Sequence, residues 1–124
     1  MIPPSFAAIV HQQGLTSVRA GAADRAFLEI WVVAVQGRLF ARSWGLSERS
    51  WYTAFLGGAR GTLRCDGTEL EVLGIVPPDL EAISESVSAE YLRKYDRGEN
   101  SEYAHGIIRP EHVARTMEFV AAPE

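Results

Sequence analysis

The chain has 124 residues, of which 47% are hydrophobic and 23% are charged, a composition typical of one ordinary globular domain. The net charge of −4 argues against binding to nucleic acid or to an anionic membrane, since both need a basic surface. The single cysteine excludes an internal disulfide and a cysteine-rich zinc site, and no apolar run is long enough to span a bilayer. We therefore expect one domain over residues 1–124, without nucleic-acid or membrane partners, in the cytoplasm.

The first predicted elements are short. Apolar side chains recur every three or four positions over residues 4–13, which predicts an amphipathic helix that ends at Gly14. A short strand is predicted for residues 15–21, and a turn of small residues follows it.

The most apolar stretch of the chain covers residues 26–35 and is interrupted only by Glu29. Its β-branched and aromatic residues predict a strand with both faces covered, or with one face on the core and the other on a partner subunit or ligand. Gln36-Gly37 then supplies a two-residue turn, and residues 38–43 alternate between two faces. Together these features predict a β-hairpin.

A short helix and a second hairpin follow. Residues 47–56 predict a helix that ends at Gly57-Gly58, and its first turn offers the hydroxyls of Ser47 and Ser50 for capping. Asp66-Gly67, between two strand-like segments, is the strongest short hairpin signal in the chain.

The clearest helical pattern covers residues 80–95, where apolar side chains recur at every third or fourth position. Asp79 is placed to cap its start, and Gly98 follows its end. Glu90 and Lys94 are four residues apart with the acid first, which predicts an ion pair on the helix surface.

The last part of the chain predicts a polar loop over residues 98–106 and a closing strand over residues 113–121. Several strands in succession with few helices favour a small antiparallel barrel over a doubly wound sheet. We therefore predict a mainly β, α+β fold, a split β-barrel of about six strands with two to three flanking helices.

Arg42-Ser43, at the end of a predicted strand, provides the strongest phosphate-binding signal. A guanidinium fork and a hydroxyl can hold a phosphate by charge-assisted hydrogen bonds, and Arg49 with the start of the following helix could complete the site. The alternative is that Arg42 pairs with a carboxylate on a solvated face.

Trp31, Trp44 and Trp51 lie close together in the sequence. Their rings could form the walls of a site for a flat aromatic ligand. Large aromatic side chains also fill cores and dimer interfaces, so both interpretations stay open at this point.

The remaining reactive side chains give little support for catalysis or for metal binding. The three histidines have no metal-ligand spacing, and we predict no metal site. His105 is the one histidine that could donate a proton, although a solvated loop histidine is the alternative. Cys65 lies in a predicted strand, where a buried, unreactive thiol is expected, and no nucleophile motif is present.

Three motifs in this order carry a resemblance to a known superfamily: IWVVAVQGRLFARSWG, SWYTAFL and AEYLRKY. Over residues 26–120 the chain resembles the split β-barrel flavin-binding superfamily, which includes pyridoxamine-phosphate oxidases and deazaflavin-dependent nitroreductase-like proteins. Within that superfamily it is similar to an uncharacterised bacterial family of unknown function.

The resemblance implies which residues contact a cofactor. By position, Trp31, Val32 and Val33 would contact the flavin ring, and Arg42 and Ser43 would hold its phosphate. Members of the superfamily are usually homodimers with the flavin at the subunit interface, so a homodimer with a small-molecule ligand at that interface is expected.

Two further residues would border this cofactor site. Trp44 is bulkier than the residue that the superfamily commonly has after the Arg-Ser pair, and it would narrow the pocket. A second cluster of basic phosphate ligands has no clear counterpart unless Arg49 or Lys94 serves.

The resemblance therefore implies an oxidoreductase-like protein that binds FMN or a deazaflavin and acts on an unknown substrate. The alternative is a non-catalytic, small-molecule-binding split-barrel dimer that has lost the cofactor. The motifs assign no catalytic residue.

Overall fold

The structure is a computed structural model that describes residues 2–12, 15–21, 26–44 and 50–123. Within these residues the fold is mainly β, of the α+β class, as predicted. The strands are β1 Thr16–Ala20, β2 Leu28–Ile30, β3 Val32–Val35, β4 Arg38–Arg42, β5 Arg60–Cys65, β6 Thr68–Ile75 and β7 Thr116–Ala121. The helices are α1 Pro4–Gln12, α2 Trp51–Leu56, α3 Leu80–Tyr95, α4 Ser101–Gly106 and α5 Pro110–Val113, with a 3₁₀ turn at Gly98–Asn100.

The strands form one antiparallel sheet in the order β2-β1-β5-β6-β7-β4-β3. The two outermost strands, β2 and β3, are consecutive along the chain and are separated only by Trp31. The sheet therefore curls until its two ends meet at this residue, which gives the barrel-like shape. The sequence predicted one strand over residues 26–35, and the structure divides it at Trp31.

Both predicted hairpin turns are present. Gln36 and Gly37 have φ values of 54° and 75°, and Asp66 and Gly67 have values of 51° and 75°. Two consecutive positive φ values are the signature of the type I′ turn, whose twist matches that of antiparallel strands. Local turn chemistry thus fixes the register of β3 with β4 and of β5 with β6.

Two apolar clusters lie on opposite faces of β3 and β4. Val32 and Leu39 point into the interior of the curled sheet, where they join a cluster that includes residues of α1 and α2. Val33 and Phe40 point outward and pack against Tyr91 and its neighbours on α3. The two-sided apolar character of β3 is therefore explained by the core on one face and α3 on the other.

Helix α2 is anchored by Phe55, whose ring lies directly against the sheet backbone. A Cβ at Gly61 would lie 2.6 Å from Phe55 Cζ, and one at Gly74 would lie 2.7 Å from Phe55 Cβ. Ser50 caps the helix by accepting a hydrogen bond from Thr53 N (3.3 Å). The predicted cap Ser47 and the predicted helix end Gly14 lie outside the described residues.

Asp79 precedes α3, as predicted, but its carboxylate does not cap the helix. It accepts two hydrogen bonds from the Arg38 guanidinium, at 2.8 and 2.9 Å. Arg38 also donates to both carboxylate oxygens of Glu118, at 2.9 and 3.0 Å. Arg38 thus connects β4, β7 and the start of α3.

The predicted ion pair between Glu90 and Lys94 is not formed. Glu90 binds Arg93 instead, with its carboxylate 2.8 Å from Arg93 Nη2. Lys94 turns inward, and its Nζ donates to the carbonyl oxygens of Val10 (2.6 Å) and Val32 (2.7 Å). Lys94 therefore ties α3 to α1 and β3.

Residues 98–106 hold a 3₁₀ turn and α4 where the sequence predicted a loop, and α5 precedes β7 where a longer strand was expected.

Among the described helices, none is both long enough and apolar enough to cross a membrane. The cytoplasmic location stays a prediction.

Candidate functional site

The curled sheet opens where β3 and β4 separate. Their last backbone pair is Val32 with Ala41, whereas β4 stays paired with β7 through Arg42 and Thr116. On the other side of Trp31 the chain turns away to pair with β1. A cleft therefore forms between β2 and the end of β4.

Tyr91 of α3 keeps the two strands apart at this point. Its hydroxyl donates to the Trp31 carbonyl oxygen (2.9 Å) and accepts from the Arg42 backbone N–H (2.8 Å). These are the two groups that a continued ladder would join directly. Burial raises the pKa of the Tyr91 phenol, so the hydroxyl keeps the proton that it donates to Trp31.

The cleft has a volume of about 390 Å³ and a largely apolar lining. Four of the residues that the sequence nominated line it: Trp31, Arg42, Ser43 and Trp44. Trp51, the third tryptophan of the sequence cluster, lines it as well. The other lining residues are Leu28, Glu29, Ile30, Ser50, Tyr103 and Ile107.

The other residues that the sequence predicted to bind a cofactor are not among those that line the cleft. The side chains of Val32 and Val33 are fully buried, one in each of the two apolar clusters. Arg49 lies outside the described residues. Lys94, which the sequence offered as a second basic phosphate ligand, instead donates hydrogen bonds to the carbonyl groups of Val10 and Val32.

Arg42 lies at the floor of the cleft and is only 4% exposed. Its guanidinium donates to Thr116 Oγ1 (3.0 Å), Ser88 Oγ (2.8 Å), the Ser84 carbonyl (3.0 Å) and the Ile107 carbonyl (3.4 Å). Four of its five N–H groups are therefore bonded within the chain, and the fifth has no acceptor among the residues that the structure describes.

Among the described residues no carboxylate forms an ion pair with Arg42, although Glu29 lines the same cleft. Burial lowers the pKa of this guanidinium, which nevertheless stays charged at neutral pH. Hydrogen bonds stabilise this buried charge but do not neutralise it, so the end of the cleft at Arg42 favours an anionic group of a ligand.

Trp44 stands at the mouth of the cleft and is 49% exposed. Its indole stacks on the His112 imidazole with a centroid distance of 4.8 Å and an angle of 7°, and its edge meets Tyr103. A Cβ at position 106 would lie 2.5 Å from Trp44 Cη2, so this placement of the indole requires Gly106. The His112 Nδ1–H donates to the Ser43 carbonyl oxygen (3.0 Å), which fixes the imidazole below the indole.

The other two tryptophans have both a packing role and a cleft role. Trp31 stacks on Tyr95 with a centroid distance of 4.2 Å and an angle of 3°, so one of its faces is covered. Trp51 packs against Phe119 of the core, with 5.8 Å between centroids. Both are partly exposed, and both line the cleft.

Sequence reasoning missed Tyr91, Tyr103 and His112. Tyr91 was visible only as one apolar position of the α3 pattern, and no spacing connected His112 to Trp44. The contact between Trp44 and Gly106 also leaves no recognisable pattern in a single sequence, because the two residues are far apart along the chain.

His105, the histidine considered as a proton donor, lies away from the cleft lining. Its Nε2 contacts Asp96 Oδ2 (3.1 Å), and Ser101 Oγ donates to Asp96 Oδ1 (2.5 Å). Asp96 thus joins the end of α3 to α4, and these bonds lower the pKa of its carboxyl group. Within the described part of the chain, no group of three or more metal-ligating residues is present.

Residues 8–119 match the model of a family described as uncharacterized protein conserved in bacteria (DUF2255). No curated protein and no solved structure matches the chain. The predicted bacterial family is therefore confirmed. The curled antiparallel sheet is compatible with the flavin-binding superfamily, and membership in that superfamily stays a prediction.

Proposed function

The chain belongs to the DUF2255 family of bacteria, and we propose that this protein binds a flat aromatic small molecule with an anionic group. One observation carries the proposal: Trp31 between β2 and β3, Trp44 after β4 and Trp51 of α2 line one cleft. The cleft volume of about 390 Å³ lies in the range of small-molecule sites, which is roughly 300–1,000 Å³.

The aromatic lining favours a ring system as the ligand. Stacked or edge-on aromatic pairs contribute roughly 0.5–1.5 kcal/mol beyond the area they bury. Trp31 already uses one face against Tyr95, and Trp44 uses one against His112. Each therefore has its other face or an edge left for a ligand in the cleft.

FMN or a deazaflavin is the candidate that we test first. The aromatic lining suits the ring. A phosphate held by two N–H groups of Arg42 does not fit, because four of its N–H groups are already bonded within the chain. Arg42 would act on an anionic tail through its charge and one N–H. A bound flavin would supply the hydride chemistry, and this chain would bind and orient the ring.

A titration tests the proposal. Addition of FMN or of a deazaflavin should quench tryptophan fluorescence and alter the ligand's absorption spectrum. Trp44→Ala should weaken binding by about three- to tenfold, because one stacking surface is lost. Leu56→Ala, at an exposed apolar residue that does not line the cleft, is the matched control. If neither ligand changes the fluorescence or the spectrum, the cofactor proposal fails.

A second candidate function is a non-catalytic small-molecule-binding protein. The Arg42 guanidinium favours it, since four of its five N–H groups are already bonded and a ligand without a phosphate needs no further N–H donor. Lumichrome, a flavin ring without the phosphate-bearing chain, distinguishes the two. Binding of lumichrome as tight as that of FMN supports the second function, and a clear preference for FMN supports the first.

We also propose that a second copy of the chain covers the mouth of the cleft. Leu28, Trp44 and Tyr103 line the cleft and are 56%, 49% and 50% exposed, a large apolar surface for one site. Leu28→Glu should convert a dimer to a monomer in analytical ultracentrifugation. Leu15→Glu, at a position that is 59% exposed and not in the cleft, should leave the dimer intact. A monomeric wild-type protein would disprove the dimer.

A further inference from the structure

A second, smaller cavity of about 190 Å³ adjoins the main cleft. Trp44 and Tyr103 line both spaces, so their rings form the boundary between them. Glu102, Gly106, Arg109 and His112 complete the smaller cavity. It therefore combines two aromatic walls with a cation, an imidazole and a carboxylate.

Arg109 contrasts with Arg42. Its backbone is fixed at the start of α5, where its carbonyl accepts hydrogen bonds from the backbone N–H groups of His112 and Val113, both at 3.0 Å. Its side chain is exposed and has no hydrogen bond or ion pair with any described residue. The guanidinium that can still grip an oxyanion with two N–H groups is therefore that of Arg109.

His112 is held in a fixed orientation beside it. Its Nδ1–H donates to the Ser43 carbonyl, and its ring stacks under the Trp44 indole. The residue as a whole is only 7% exposed. Because a carbonyl only accepts, Nδ1 carries the proton, and Nε2 has no partner among the described residues. Nε2 is thus the ring atom that remains to contact a ligand in this cavity.

We propose that this second cavity is an oxyanion subsite in which Arg109 and His112 bind a phosphate or carboxylate group. The inference deepens the proposed function, on which it rests for the identity of the ligand. The ring would lie in the main cleft, and its acidic group would pass Trp44 to reach Arg109. The Glu102 carboxylate lies in the same cavity and repels an anion, so it lowers the affinity of the subsite.

Inorganic phosphate tests the subsite without any flavin. It should shift the His112 ring resonances of the full chain in NMR. Arg109→Gln should weaken phosphate binding about tenfold, the effect of losing one charge-assisted pair, and Glu102→Gln should strengthen it. Arg97→Gln is the matched control, since Arg97 is also exposed and does not line the cavity. Unchanged His112 resonances, or equal binding by Arg109→Gln and wild type, would overturn the inference.

FMN and riboflavin, which differ by one phosphate, separate the two proposals. The wild type should bind FMN at least about tenfold more tightly than riboflavin, and Arg109→Gln should lose most of this preference. Equal binding of both by the wild type would reject the subsite and leave binding of the flavin ring in the main cleft standing. Arg109-dependent phosphate binding without any flavin binding would support the subsite and reject the flavin.

Discussion

Lys94 shows how the environment of a single residue decides its chemistry. Its spacing from Glu90 predicts a surface ion pair, but Arg93, the adjacent base, takes that role. Neighbouring helical residues differ by about 100° in direction, so one faces out and the other in. Burial lowers the pKa of the Lys94 ammonium to about 8, and two carbonyl oxygens accept its hydrogen bonds.

This pKa predicts a pH-dependent stability. The unfolded chain, with an ordinary lysine pKa of 10.5, binds more protons than the folded chain between pH 8 and 10.5, so the Lys94 contribution rises with pH there. Urea unfolding should be measured at several pH values up to about 9.5. Over this range the unfolding free energy of the wild type should rise by about 1 kcal/mol relative to that of Lys94→Met. Tyr91 and Tyr95 have raised pKa values, which oppose the trend at higher pH in both proteins, so the difference between the two proteins isolates the effect of Lys94. A constant difference would contradict the prediction.

A second prediction concerns the hydroxyl of Tyr91. Tyr91→Phe removes the partner of both the Trp31 carbonyl and the Arg42 amide, so we expect a loss of about 1–3 kcal/mol in unfolding free energy. Tyr95→Phe is the control. Its acceptor, the Val32 carbonyl, also accepts from Lys94, so the loss should stay below about 1 kcal/mol. Similar losses in chemical denaturation would show that Tyr91 does not bridge the strands.

At the scale of elements, Arg38 joins three parts of the fold that are distant in sequence. Arg38→Gln should cost about 2 kcal/mol, because it leaves Glu118, which is 8% exposed, without its cation. Asp79→Asn should cost less, since the Asp79 side chain is 41% exposed. Thermal unfolding of both variants measures the order, and the reverse order would contradict the assigned roles.

The elements that sequence predicted correctly depend on local chemistry. The turns at Gln36-Gly37 and Asp66-Gly67 need only residues that tolerate positive φ, and α3 repeats its apolar positions over four turns. Helices α4 and α5 have six and four residues, too few for a clear repeat. The break at Trp31 depends on Tyr91, which no local pattern connects to it.

The candidate site was predictable in position and only partly in chemistry. Arg42 and Ser43 lie at the opening because they end a strand, which the alternation showed. The bonds that occupy Arg42 come from α3, β7 and the turn after α4, and such long-range contacts are invisible in one sequence. The apolar run over residues 26–35 left open whether its second face meets the protein itself or a partner, and the structure places α3 against that face at Val33.

For the whole molecule, Trp31 is the point where the two ends of the sheet meet. Trp31→Ala should cost about 2 kcal/mol, less than the 3–5 kcal/mol of a fully buried tryptophan, because the ring is partly exposed. Trp44→Ala should cost less, since this side chain projects from the end of β4 and is 49% exposed. Equal losses in urea unfolding would contradict a special role for Trp31.

The position of β7 has a consequence for how the chain folds. This strand lies between β6 and β4, and it pairs Phe119 with Leu39, far back in the sequence. The two hairpins can form early and independently. The curled sheet, however, stays incomplete between β4 and β6 until β7 inserts between them. During synthesis on the ribosome, the nascent protein would therefore expose the unpaired edges of β4 and β6 until residues 116–121 emerge, and folding should be slow for its size.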